Sequence, residues 1–178
     1  VVEKDVAFVL DTSGSMAGKK IEQAKKAVEF CLHNLNEGDR FEVVRFSTEA
    51  ETLFSELKEV SKASREKALN FVQGLKPIGG TAINDAMAKT LKLRPKGSKR
   101  PFVVIFLTDG RPTVGITGED QIVKNVKDVA GKTRVFCFGI GNDVNTHLLD
   151  KITESTRAFS QYVLPSEDIE VKVSQFYT

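Results

Sequence analysis

Two uninterrupted apolar runs, Val6-Ala-Phe-Val-Leu10 and Phe102-Val-Val-Ile-Phe-Leu107, do most to constrain what this chain can fold into. An alternating run marks a sheet face open to water. A continuous β-branched and aromatic run needs cover on both faces, as in a parallel sheet between helices. Arg134-Val-Phe-Cys-Phe-Gly-Ile140 has the same character. Phe41 to Phe46 is interrupted by Glu42 and Arg45 and suits a strand nearer an edge.

Helical spacing fills the intervals. From Lys19 to Leu35 the apolar positions are Ile21, Ala24, Ala27, Val28, Cys31, Leu32 and Leu35. That three-to-four spacing predicts an amphipathic helix. Similar stripes are Ala68, Leu69, Val72 and Leu75; Ile83, Ala86, Met87 and Leu91; and Ile122, Val123, Val126, Val129 and Ala130, closed by Gly131 as a C-cap. Leu148, Leu149 and Ile152 form a shorter one. At the tail, Ile169, Val173 and Phe176 fit a helix although Ile169, Val171 and Val173 also alternate. Ser166 as N-cap before Glu167 and Asp168 favours the helix. Strands alternating with helices predict an α/β fold with a doubly wound, mostly parallel sheet. No repeat or linker divides residues 1–178, so a single domain is expected.

Length and composition narrow the classes further. A chain of 178 residues with 40% hydrophobic and 28% charged residues can build a core and is not a disordered segment. No apolar run approaches the roughly 18–20 residues that span a bilayer. Lys+Arg 26 against Asp+Glu 24 are scattered, which speaks against a nucleic-acid or membrane-inserting surface. The two cysteines match no metal spacing and read as buried small side chains, a bridge between Cys31 and Cys137 staying open. His33 and His147 read as surface residues without a catalytic constellation. Starting at Val1 without Met or signal peptide, the chain is expected to be a piece of a longer protein.

Polar residues collect where the apolar runs end, which is where open α/β sheets bind ligands. Asp11-Thr-Ser13-Gly-Ser15 follows the first run and Thr108-Asp109-Gly110 the second, while Gly79-Gly80-Thr81 precedes a helix. Taken alone, each is an ordinary turn or cap, and Thr81 also suits the N-cap of the helix running to Leu91. Together they offer two carboxylates and three hydroxyls, the donor chemistry of a hard divalent cation. Mg²⁺ or Mn²⁺ is favoured over Ca²⁺, and no His or Cys cluster suits zinc. Neutral hydroxyl ligands leave such an ion undercompensated and ready to accept an outside carboxylate.

The set Asp11-x-Ser13-x-Ser15, Gly-Gly-Thr81 and Leu-Thr-Asp109-Gly resembles the metal-ion-dependent adhesion site of von Willebrand factor type A domains. Leu10-Asp-Thr-Ser-Gly-Ser-Met16, Gly79-Gly-Thr-Ala-Ile-Asn84 and Gln175-Phe-Tyr177 look most like the A domain of inter-alpha-trypsin inhibitor heavy chains and microbial relatives. The resemblance implies a Rossmann-like sheet flanked by helices, with room for one antiparallel edge strand. It further implies a metal contacted directly or by turns by Ser13, Ser15 and Thr81, and often through water by Asp11 and Asp109. The implied function is non-enzymatic: a monomeric adhesion-type module whose ion takes an Asp or Glu from a protein partner. Arg111, Met16 and Gly80 are expected on the partner-facing rim, and Asn84 and Asp85 either support the site or serve the first turn of their helix. A cell-surface, periplasmic or secreted setting is expected.

Competing readings are a regulatory or assembly subunit working with an ATPase, and a Mg²⁺-dependent phosphohydrolase with Asp11 as phosphate acceptor. Ser13 stands where that hydrolase would need a second carboxylate. Leu10-Asp-Thr-Ser-Gly also departs from the Asp-Thr-Gly of aspartic proteases, which are all-β. Gly139-Ile-Gly141 lacks the remainder of a dinucleotide fingerprint.

Overall fold

A computed structural model describes residues 2–164 and 166–174. Seven strands, β1 (Asp5–Asp11), β2 (Arg40–Phe46), β3 (Ala50–Thr52), β4 (Lys58–Glu59), β5 (Phe102–Thr108), β6 (Arg134–Ile140) and β7 (Ser160–Val163), make one sheet. Among the described residues six α-helices accompany them: α1 (Lys19–His33), α2 (Lys62–Gln73), α3 (Ile83–Leu91), α4 (Glu119–Ala130), α5 (Thr146–Ser155) and α6 (Ile169–Ser174). No described helix is long and apolar enough to cross a membrane.

The sheet order is β3-β2-β1-β5-β6-β7, with β4 also on β2. Strands β2, β1, β5, β6 and β7 run parallel, and only β3 and β4 run antiparallel to β2. The two apolar runs are therefore adjacent central strands, with Val6 opposite Val103 and Leu10 opposite Leu107. Successive residues of a strand point to opposite faces, so each run feeds two cores. Phe8, Leu10, Ile105 and Leu107 pack with α1, α2 and α6, while Val9, Val104 and Phe106 pack with α3, α4 and α5. Phe8 and Phe106 are completely buried, and such side chains contribute about 1.5–3 kcal/mol each.

This layering settles the cysteines. Cys31 belongs to one core and Cys137 to the other, so the sheet itself stands between them and they do not bridge. The Gly131 cap is as expected, with φ +57° closing α4. At the tail the helix begins later than its acidic turn: Asp168 Oδ1, rather than Ser166, accepts from Glu170 N–H at 2.9 Å. Gln175, Phe176 and Tyr177 lie outside the described residues.

Strand β2 lies one position from the edge, and Glu42 does not face water there. It is fully buried and accepts from the N–H groups of Val43 at 2.8 Å and of Leu53 and Phe54 at 3.0 Å. Leu53 and Phe54 lie between β3 and β4; Leu53 N–H also donates to Val43 O at 2.9 Å, and for Phe54 the carboxylate supplies the acceptor where the ladder is interrupted. Burial raises its pKa despite these bonds.

Candidate metal centre

The chain leaves β1 for α1 on one side of the sheet and returns in β5 on the other, which makes the carboxyl ends of β1 and β5 a topological switch point. Asp11 is the last residue of β1 and is completely buried. Its Oδ1 accepts the Ser13 N–H at 2.8 Å and its Oδ2 the Thr108 hydroxyl at 2.7 Å. Burial pushes its carboxyl up to about 6; bonds from Ser13 and Thr108 pull the other way, and Asp109 adds a smaller upward push. Among the described residues no lysine, arginine or histidine forms an ion pair with Asp11; the nearest pair is that of Lys20 with Asp109.

Ser13 is buried, and a single 3₁₀ turn, Gly14–Met16, follows it. The turn brings the Ser13 and Ser15 hydroxyls within 3.0 Å, with Ser15 at the surface. The same turn rolls Met16 underneath. Met16 is 0% exposed and packs in the core with α1, so the expectation that it faces a partner is corrected. Three residues at helical pitch cannot keep both the hydroxyls and the methionine on the rim.

The loop carrying Thr81 is stitched to this turn through its backbone. Ile78 N–H donates to Thr12 O at 2.8 Å, Gly14 N–H to Gly79 O at 2.9 Å and Ala82 N–H to Ser47 O at 2.8 Å. Thr81 is 2% exposed, and its own amide donates to Thr113 Oγ1 at 2.8 Å. It is not the helix cap: Ala82 holds that position, without a side-chain bond. Gly80 is half-buried, and a Cβ there would stand 2.5 Å from Val114 Cγ2 and 2.9 Å from Thr113 Oγ1. Its contribution is close approach between two loops.

Asp109 follows β5 and is 1% exposed. Its Oδ1 accepts Arg111 N–H at 3.3 Å, and the Lys20 ammonium stands 3.6 Å from its Oδ2. Thr108 serves both carboxylates: while donating to Asp11 it accepts Gly110 N–H at 3.0 Å, which shapes the turn after Asp109. Gly110 turns with φ +78°, where a Cβ would meet Asn145 O at 3.1 Å. Asn145 N–H in turn donates to Asp109 O at 3.0 Å and closes the far side. Arg111 does lie exposed beside the site, held by Asp143 through its carbonyl at 2.8 Å and its carboxylate at 2.5 Å. Asn84 accepts from Asn125 Nδ2 at 2.9 Å and so ties α3 to α4, while Asp85 is an exposed first-turn residue.

The five expected donors thus stand at the end of β1 and on the loops beside it, at the carboxyl edge of the sheet. Lys20, Thr108, Thr113 and Asn145 were not anticipated as supports. Thr108 was visible as the hydroxyl before Asp109; the others touch the site only through tertiary contacts. Among the described residues no group of three or more His, Cys, Asp or Glu is placed to hold a metal ion, so a metal here would have to be completed by hydroxyls. Two buried carboxylates beside serine and threonine oxygens fit a hard cation in donor chemistry.

The model of the von Willebrand factor type A domain matches residues 4–162. The chain belongs to this family. It is 36% identical to inter-alpha-trypsin inhibitor heavy chain H4 of Homo sapiens over 184 residues, a match that covers 98% of this chain and 20% of the relative. The chain thus spans about a fifth of the length of the curated relatives it matches. Among solved structures, a von Willebrand factor type A protein from Catenulispora acidiphila superposes with TM-score 0.84 at 22% identity, over 99% of this chain and 41% of that one. Proximal thread matrix protein 1 from the mussel byssus, described with a zinc-occupied metal-ion-dependent adhesion motif, gives 0.77 at 23% identity, over 99% and 46%. At these identities the structures share with this von Willebrand factor type A domain its fold.

Proposed function

We propose that this domain is a non-enzymatic binding module that recognises an Asp or Glu side chain of a protein partner through a divalent cation. Ser13, Ser15 and Thr81, with Asp11 and Asp109, are the residues that would hold the ion. A bound divalent cation would supply positive charge that three neutral hydroxyls compensate only in part, which suits capture of an outside carboxylate. The observation that supports this most is Asp11: a fully buried carboxylate with no cationic partner among the described residues, set beside Asp109 at the switch point. Burying such a group without compensation is costly, and a cation at this place removes the cost.

A phosphohydrolase with Asp11 as acceptor would also need a second acid/base carboxylate nearby, and Ser13 stands in that place. Mg²⁺ or Mn²⁺ fits the sparse oxygen set better than Ca²⁺, which takes more ligands. The mussel relative is described with zinc in its motif, so zinc belongs among the ions tried. A cell-surface, periplasmic or secreted setting accompanies this reading.

The test is calorimetry on the chelator-stripped domain with MgCl₂, MnCl₂, CaCl₂ and ZnCl₂, each with and without N-acetyl-aspartate amide as carboxylate probe. Heat and a raised melting temperature are expected at millimolar Mg²⁺ or Mn²⁺, with tighter metal binding when the probe is present. Silence with every ion, in the presence and absence of probe, would sink the proposal. Hydrolysis of p-nitrophenyl phosphate with Mg²⁺ that Asp11→Asn abolishes would replace it with an enzymatic function.

A further inference from the structure

We propose that Lys20 is a built-in counter-ion of this centre, whose ammonium group competes with the divalent cation for Asp109 and so sets the metal affinity; this rests on the metal-binding function proposed above. Lys20 is the second residue of α1, and its side chain crosses from that helix to the end of β5. The ammonium stands 3.6 Å from Asp109 Oδ2, pairing a carboxylate that is 1% exposed with a lysine that is 25% exposed. The other carboxylate oxygen is occupied by the Arg111 amide, so Lys20 addresses the remaining one.

A second observation concerns the path of the lysine stem. Gly141 follows β6 with φ +119°, and a Cβ at that position would stand 2.7 Å from Lys20 Cε, 3.2 Å from Nζ and 3.4 Å from Cδ. The outer part of the lysine stem therefore passes over the Gly141 backbone on its way to Asp109. Gly141 is itself pinned, its amide donating to Val163 O at 2.9 Å. A surface lysine normally keeps its rotamer freedom and gains little from an exposed ion pair. Here the outer stem rests against backbone and the charge faces a carboxylate that is almost fully buried.

The consequence is electrostatic. Without metal, Lys20 offsets one of two neighbouring buried carboxylates. Were Ser13, Ser15, Thr81, Asp11 and Asp109 to hold a divalent cation, the Lys20 ammonium would be a like charge beside it and would have to give up its pairing with Asp109. Metal binding then includes the breaking of the Lys20–Asp109 pair, and affinity is held below what the five donors alone would give.

Lys20→Met keeps the stem and removes the charge, while Lys20→Arg keeps the charge. Calorimetric titration with MnCl₂ is expected to show about tenfold tighter binding by Lys20→Met than by the parent, the scale of one unit charge near a divalent ion in a screened setting. Lys20→Arg is expected to stay within about twofold of the parent. Equal or weaker Mn²⁺ binding by Lys20→Met would overturn the competition and make Lys20 a positioning residue for Asp109. A melting cycle in chelator with Lys20→Met, Asp109→Asn and the double variant reads the ion pair without metal. The expected result is a loss in Lys20→Met that Asp109→Asn cancels, and additive effects would overturn the counter-ion role. If neither parent nor Lys20→Met binds any ion, the metal-binding function fails and the competition with it. The melting cycle then decides the pairing alone.

Discussion

Asp11 carries the tension between stability and function in a single side chain. Its carboxyl titrates at about 6 against an ordinary value of 3.8, because burial outweighs the bonds from Ser13 and Thr108. A pKa raised by folding means that the protonated form is favoured in the native state. The group's stabilising contribution is complete below about pH 4 and is lost as the pH rises through about 6. That loss reaches at most about 3 kcal/mol in the absence of metal. Asp11→Asn is therefore expected to melt no lower than the parent at pH 7 in chelator, while its metal-induced rise in melting temperature disappears. A variant that melts well below the parent in chelator would show Asp11 to be chiefly structural. Protons compete for the same oxygens, so metal affinity is expected to fall as pH drops below about 6, readable from MgCl₂ titrations at pH 7.5, 6.5 and 5.5. Residues of this kind were legible in the sequence as turn formers of the right chemistry. Met16, three residues from Ser13, was misplaced on the rim because its direction depends on one turn of 3₁₀ helix that composition does not encode.

Among the elements, the helices and the longer strands were legible, and strands β3, β4 and β7 were not. Strands β1, β5 and β6 and helices α1 to α5 carry enough residues for a period to show. Strands β3, β4 and β7 have three, two and four residues, too few for any pattern. Their existence follows from the backbone needs of β2 and β6, which an isolated segment cannot express. Glu42 illustrates the difference: it interrupts an apolar run, yet it is the group that holds the irregular edge to β2. Removing it leaves the Leu53 and Phe54 amides without that acceptor. Glu42→Ala is expected to cost about 2–4 kcal/mol, and Glu42→Gln, which keeps a carbonyl oxygen, distinctly less. Urea denaturation midpoints check both, and a loss no larger for alanine than for glutamine would refute the role.

For the whole molecule, the sheet divides the interior into two cores and places one thiol in each. Cys31 is 1% exposed on the side of α1, and Cys137 is 0% exposed on the side of α4 and α5. Burial, with a smaller push from Asp150, also raises the Cys137 thiol above its ordinary range, so little reactive thiolate is present. Reductant is expected to leave the melting temperature unchanged, and Ellman's reagent to label the thiols only at the rate of unfolding. Prompt labelling of both thiols in native buffer would contradict this layering. By itself, the sequence determined the class of fold and the identity of the candidate donors. Runs of apolar residues demand burial on both faces, and oxygen-bearing residues at strand ends declare their chemistry. Tertiary structure alone decided that β1 and β5 are neighbours, that Thr108 bridges to Asp11, that Met16 is core, and that Lys20 reaches Asp109 over Gly141. The physical reason is that each of these joins residues far apart in the chain or turns on a local backbone angle. Hydrophobic periodicity reports which face of a segment is buried; it does not report what that face meets.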